Sequence, residues 1–206
     1  ILGFATMVVT VQVSFSAGLA FRKRFAGPAP IFHLALVSLI GPAFLTSLGI
    51  RPFYPPLGCC PPWDCSAVGA HLTWTLPFGL LIMFAIFNRF DGRLEEAARD
   101  LGATPWQTFY HVVLPLVAPS LVGVGLFGFT LSWDEIARSS QAIGEKNTLP
   151  LELQALTTTV TTPEIYALGT VTTGVSFLVI GLALGTILLL RARQNRHGSD
   201  AGQWLA

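Results

Sequence analysis

Charge is what this chain has least of. Of its 206 residues only 11% are Asp, Glu, Lys or Arg, about half the share of an ordinary soluble domain, while 52% are hydrophobic. With a mean hydropathy of +0.62, that composition excludes a disordered polypeptide. A net charge of +1 excludes the basic stripe on which nucleic-acid binding depends. Cysteine is scarce too: Cys59, Cys60 and Cys65 fall in one Pro-rich segment (Pro55, Pro56, Pro61, Pro62). Their spacing is not a zinc pattern, and no metal site is expected. Isolated thiols are the favoured reading and a disulfide in an oxidising compartment the alternative. Also missing are a G-x-x-x-x-G-K-[ST] phosphate loop, a G-x-S-x-G elbow, an H-E-x-x-H helix and an intramembrane pair of aspartates. The chain therefore reads as no enzyme in its own right, with no catalytic residue and no cofactor of its own.

What is present is a set of five uncharged runs, Ile1 to Phe21, Phe25 to Ile50, Cys65 to Asn88, Leu101 to Trp133 and Ile165 to Leu190. Each reaches the about 20 residues that a helix needs to cross a bilayer's hydrocarbon core. In lipid the backbone must satisfy its own hydrogen bonds, and the alternating pattern of a transmembrane barrel is missing, so the expected class is all-α. The reading is a single polytopic helical membrane domain over 1–206, with spans at about 1–21, 28–50, 66–88, 112–133 and 165–190. The segment 1–21 has no basic leader and no cleavage site, and reads as a span rather than a signal peptide.

Basic residues give the orientation. Arg22, Lys23, Arg24, Arg89, Arg93, Arg99, Arg191, Arg193 and Arg196 gather on one side, against Arg51, Arg138 and Lys146 on the other. Nine against three places segments 22–24, 89–111 and 191–206 in the cytoplasm, with Ile1 starting outside and the C-terminus inside. A first residue outside the membrane leads to the expectation of a further span before it.

Three motifs invite over-reading. Gly123-Val124-Gly125-Leu126-Phe127-Gly128 spells G-x-G-x-x-G inside a span, where close helix packing is the better account than a dinucleotide. Gly181 and Gly185 take the same packing reading. His33 and His71 are isolated and make no metal site.

The informative segment is the loop 89–111. Asp91 is expected to cap a short helix with Glu95 in its first turn and Arg99 four residues on. Gly102 suits the left-handed position that ends it. Thr104 and Gln107 form a capping box with Pro105 at the first position of a second helix. Ala97 and Ala98 beside Leu94 and Leu101 would let another backbone approach, as a docking surface does.

Glu96-Ala97-Ala98, then Gly102, Val112 and Leu114-Pro115 at their spacing, resemble the EAA signature of permease subunits of type I ABC importers, which usually have Ile where Val112 stands. The stretches His71-Leu72-Thr73-Trp74-Thr75-Leu76-Pro77-Phe78 and Phe129-Thr130-Leu131-Ser132-Trp133-Asp134-Glu135, with Leu149-Pro150-Leu151, are similar to the second permease of spermidine/putrescine-type systems. Such permeases usually have six spans, so the resemblance implies that the first is missing from the five seen here. It also implies a multi-pass protein of the bacterial inner membrane that forms half of a solute path. Glu95, Glu96, Ala97, Ala98, Arg99, Gly102, Leu114 and Pro115 would couple it to an ATPase. The implied partners are two ATP-binding subunits, which would hold ATP and Mg, a second permease and a solute-binding protein. The external loops carry Asp64, Asp134, Glu135, Glu145, Glu152 and Glu164 against three basic residues. Trp133, Asp134 and Glu135 would then line a path for an amine, most simply a polyamine. Equally, acids stand outside because basic residues are retained inside. The alternatives to the importer are an ion-coupled secondary transporter subunit, for which matching broken spans in two halves would be expected, and a non-transporting membrane scaffold.

Overall fold

The computed structural model describes residues 1–22, 28–50, 52, 62–143, 147–159 and 163–203. Among them there is no strand. Cys59 and Cys60 lie outside the described residues, as do Lys23, Arg24, Arg51, Glu145 and Lys146. The helices are α1 (Leu2–Phe21), α2 (Pro28–Ile40), α3 (Ala43–Ile50), α4 (Pro62–Arg89), α5 (Arg93–Asp100), α6 (Pro105–Thr108), α7 (Leu114–Trp133), α8 (Ala137–Ala142), α9 (Leu149–Thr159) and α10 (Pro163–Gln203), with a π-helical turn at Phe109–Val113 between α6 and α7. Four helices are long and apolar enough to cross a membrane, or five spans if one bent pair counts as one.

That bent pair is where the 28–50 run departs from the single straight helix expected of it. It folds as α2 and α3, turned by 112° at Gly41-Pro42. Pro42 cannot donate a helical hydrogen bond and disfavours helical backbone at Gly41, so the helix stops and restarts. The restarted piece packs against α4 and α8, with Ser47 buried and its hydroxyl donating to the Ala43 carbonyl at 3.1 Å.

α1, α4 and α7 pack on one another at the centre. The buried residues of α1 are Gly3, Thr6, Thr10, Ser14 and Gly18, all small and on one helical face, while Phe4, Val8 and Val13 are exposed. This inversion suits lipid, where small residues permit close approach and apolar side chains face outward. The fit is tight. A Cβ at Gly18 would lie 2.7 Å from the Phe87 ring, and one at Gly79 would run into Ser14 Oγ. Gly125 and Gly128 face Met7, Thr10 and Val11 of α1, so two of the three glycines of the G-x-G-x-x-G stretch serve helix packing, whereas Gly123 faces open space. Gly181 and Gly185 also face open space, so among the described residues no helix occupies the notch expected there.

One proline inside a helix is partly compensated. Pro77 in α4 withdraws the N–H that would meet the Thr73 carbonyl, and the Ser38 hydroxyl of α2 lies 3.0 Å from that carbonyl, sharing its one proton between it and the Ala35 carbonyl at 2.7 Å. At the far end of the bundle, Pro115 cannot donate to His111, and the chain widens into the π turn just before it.

Candidate functional site

One end of the bundle gathers Arg22, Arg89 and the loop helix α5. Within α5, Glu95 and Glu96 occupy the first turn and Arg99 the last, the arrangement that the helix dipole favours. The N-cap position belongs to Gly92 rather than to Asp91 as expected; the Asp91 carboxylate, one residue earlier, accepts the Arg93 N–H at 3.0 Å. A Schellman motif ends the helix, with Gly102 N–H on Arg99 O at 2.8 Å and Ala103 N–H on Ala98 O at 3.0 Å. Gly102 has φ +86°, the single positive φ among the described residues. The next helix starts at once on the capping box: Gln107 N–H meets Thr104 Oγ1 at 3.4 Å and Thr104 N–H meets Gln107 Oε1 at 2.8 Å.

α5 has two faces. Arg93, Glu96, Ala97, Asp100 and Leu101 are all exposed, and their spacing puts them on one stripe. Leu101 is 90% exposed, an unusual position for a leucine that has no partner to meet. Glu95 and Ala98 turn the other way. Glu95 is held by Arg22 at 2.6 Å and by Arg99 at 3.8 Å. Leu114 and Pro115 lie apart from this stripe, at the start of α7, beyond the π turn. The loop residues are thus split between an outward stripe, an inward ion pair and the junction with α7.

At the opposite end, the three residues expected to line a path are also divided. Trp133 and Asp134 border a cavity of about 780 Å³ between α7, α9 and α10, together with Gln154, Thr157 and Thr172. Asp134 is exposed. Glu135 is not part of that lining. It is buried, one residue before the Ile136 N-cap of α8, its carboxylate accepting from Arg138 Nη1 at 2.9 Å and from the Arg138 backbone N–H at 3.0 Å, so its charge is matched. The Arg138 guanidinium lies 4.6 Å from the Trp74 ring centroid.

Beside that pair sits His71, wholly buried. Its Nδ1 lies 2.7 Å from Ser132 Oγ and its Nε2 lies 2.9 Å from Ser139 Oγ. Ser139 spends its one proton on the Glu135 carbonyl at 2.5 Å, so it accepts from Nε2–H; in a neutral ring Nδ1 then accepts from the Ser132 hydroxyl. Thr75 continues the network, donating to the His71 carbonyl at 3.2 Å and accepting from Thr10 of α1 at 2.9 Å. The network binds α1, α4, α7 and α8 at this end. His71 was legible in the sequence as an isolated histidine only, because its partners lie 61 and 68 residues away. The one available signal was a polar residue inside an otherwise apolar span.

Comparison with known proteins adds to this geometry. The family model described as "Binding-protein-dependent transport system inner membrane component" matches residues 63–195. A spermidine/putrescine transport system permease protein, PotC, of Haemophilus influenzae is 31% identical over 195 residues, covering 94% of this chain and 74% of its own length. A putrescine transport system permease protein, PotI, of Escherichia coli is 28% identical, covering 84% and 63%. Among solved structures, the MetNI methionine ABC transporter in inward-facing conformations superposes with a TM-score of 0.67 over 92% of this chain and 93% of the matched chain; at 16% identity that likeness is one of fold.

Proposed function

The chain belongs to the family of binding-protein-dependent transport system inner membrane components and is a multi-pass permease subunit of an ABC importer; on that premise we propose that α5 couples it to a separate ATPase and that its solute is a polyamine. The observation that carries the coupling reading is the exposed stripe of α5, with Glu96, Ala97 and Leu101 presented outward on a short helix that a Schellman turn closes at its C-terminal end, directly before the capping box that starts α6. Two ATP-binding subunits would hold ATP and Mg and close beneath the membrane. Their motion, delivered to α5, would tilt the attached spans between inward-open and outward-open arrangements. A second permease would complete the path, and a solute-binding protein would load it from outside.

The orientation follows the basic residues: α5 and the C-terminus in the cytoplasm, α8 and α9 outside. The polyamine reading is supported by the names of the PotC and PotI relatives and by Trp133 and Asp134 at the cavity, which offer an aromatic face and a carboxylate to an ammonium. Glu135 contributes by holding α8 in place beside them rather than by facing the solute.

The test is the assembled complex in proteoliposomes. Glu96→Lys reverses charge on the outward stripe, and Gly102→Val places a β-branched residue at a positive φ. Both variants should insert in the membrane and lose solute-stimulated ATP hydrolysis. Wild-type stimulation in both would sink the coupling reading.

A further inference from the structure

Arg22 stands at the end of α1, which is far from α5 in sequence, yet its guanidinium lies 2.6 Å from Glu95 Oε1. The same group lies 4.7 Å from the Phe90 ring centroid and 5.5 Å from that of Phe87. Phe87 of α4 and Phe90 just beyond it thus flank the guanidinium while its charge reaches across to the loop helix. Glu95 is the half-buried acid of α5, 16% exposed, and takes Arg99 on its other oxygen at 3.8 Å.

Around this pair the packing is loose. A cavity of about 460 Å³, bordered by Leu19, Arg22, Glu95, Arg99, Thr108 and Phe109, separates α5 from the end of α1. The backbone of α5 packs on α6 and on the π turn, its neighbours in the chain. Motion of α5 thus reaches α7 through a continuous and well-capped backbone, but reaches α1 across a gap bridged by charge.

We infer that Arg22 is a positioning residue, a latch that ties the end of α1 to α5 through Glu95, so that displacement of α5 carries α1 with it. This rests on the reading of α5 as the ATPase contact. It assigns the two adjacent acids different tasks: Glu96 faces the partner and Glu95 faces the permease's own first helix. A guanidinium is suited to the role, because it keeps its charge and lies against aromatic rings while pairing with a carboxylate.

The experiment uses spin labels at Ala20 and Leu94 in the complete transporter, with the α1–α5 distance measured at rest and after trapping with ATP and vanadate. In the parent protein and in a Glu95-Arg22 charge swap (R22E with E95R), one narrow distance should persist in both states. In Arg22→Ala and in Glu95→Gln the trapped state should show a broadened or lengthened distribution. ATP-driven uptake of spermidine in Arg22→Ala should fall at least about fivefold, the lower end of ordinary coupling between sites. A narrow, unchanged distance in Arg22→Ala overturns the latch, as does failure of the charge swap to restore the distance that each single change disturbs. The docking reading is scored separately, by cross-linking a cysteine at Ala97 to the ATPase subunit; its failure with the distances as expected would strike that reading and leave the Arg22-Glu95 tie in place.

Discussion

Glu95 and Glu96 are chain neighbours with opposite surroundings, and the same holds for Asp134 and Glu135. In each pair one carboxylate faces solvent and the other is held by an arginine, Arg22 or Arg138. Neutralising the two kinds should have different effects. Asp134→Asn should leave folding intact and weaken polyamine uptake about two- to fivefold, the size of an exposed charge interaction, more so at low ionic strength. Uptake unchanged at low salt would remove Asp134 from the path. Glu135→Gln should instead lower the melting temperature of the purified protein, because it leaves a buried Arg138 without its counter-charge. His71→Phe belongs with the second kind. It leaves the buried Ser132 and Ser139 hydroxyls short of a partner, a cost of roughly 1–3 kcal/mol for each group left unsatisfied, read as a thermal shift in detergent.

The elements are shaped by local chemistry with few exceptions. α5 ends on a glycine in the left-handed region, α6 begins on a capping box, and α2 stops at Pro42, each the direct result of one residue's backbone preference. Contacts between elements are stricter. The α1–α4 seam has no room at Gly79 and Gly18, whereas Gly123 of α7 faces open space. Gly79→Val should therefore destabilise the protein by roughly 1–3 kcal/mol through overpacking, while Gly123→Ala should be close to neutral or slightly stabilising. Equal thermal shifts for the two would contradict the tight seam. Ser38→Ala should show a smaller loss, since it removes a hydroxyl whose one proton is shared between the Ala35 carbonyl and the Thr73 carbonyl that Pro77 has deprived of its helical donor.

For the molecule as a whole, the ion pair between Arg22 and Glu95 and the His71 network fix which segments share an end of the bundle. The side of the membrane that each end faces is a matter of basic-residue asymmetry. A cysteine at Asn147 should react with an impermeant thiol reagent added outside sealed cells, and one at Thr104 only after the membrane is opened. Labelling of Thr104 in sealed cells would reverse the orientation and remove α5 from any cytoplasmic ATPase. Among the described residues none in the membrane-crossing window of α10 is buried, although α10 packs on α7 and α9, so much of its surface is left for lipid or a second permease to cover.

What the sequence determined by itself is what depends on neighbours in the chain. Uncharged runs set the helices that cross the membrane, Gly102 set a turn, and the spacing from Glu96 to Pro115 marked the family, since these rest on backbone preference and hydrophobic length. The break at Gly41-Pro42 and the π turn at 109–113, two residues before Pro115, each lie beside a proline, but how far the chain bends or widens there depends on what it then packs against. Only the tertiary structure decided which acid of each pair is free. Periodicity on a short helix distinguishes two faces without saying which is covered; Arg22 lies 73 positions before Glu95, and no local rule brings them together. His71 makes the same point, because a buried imidazole inside an apolar span must find its partners from other helices, and their identity is settled by how those helices cross rather than by any spacing along the chain.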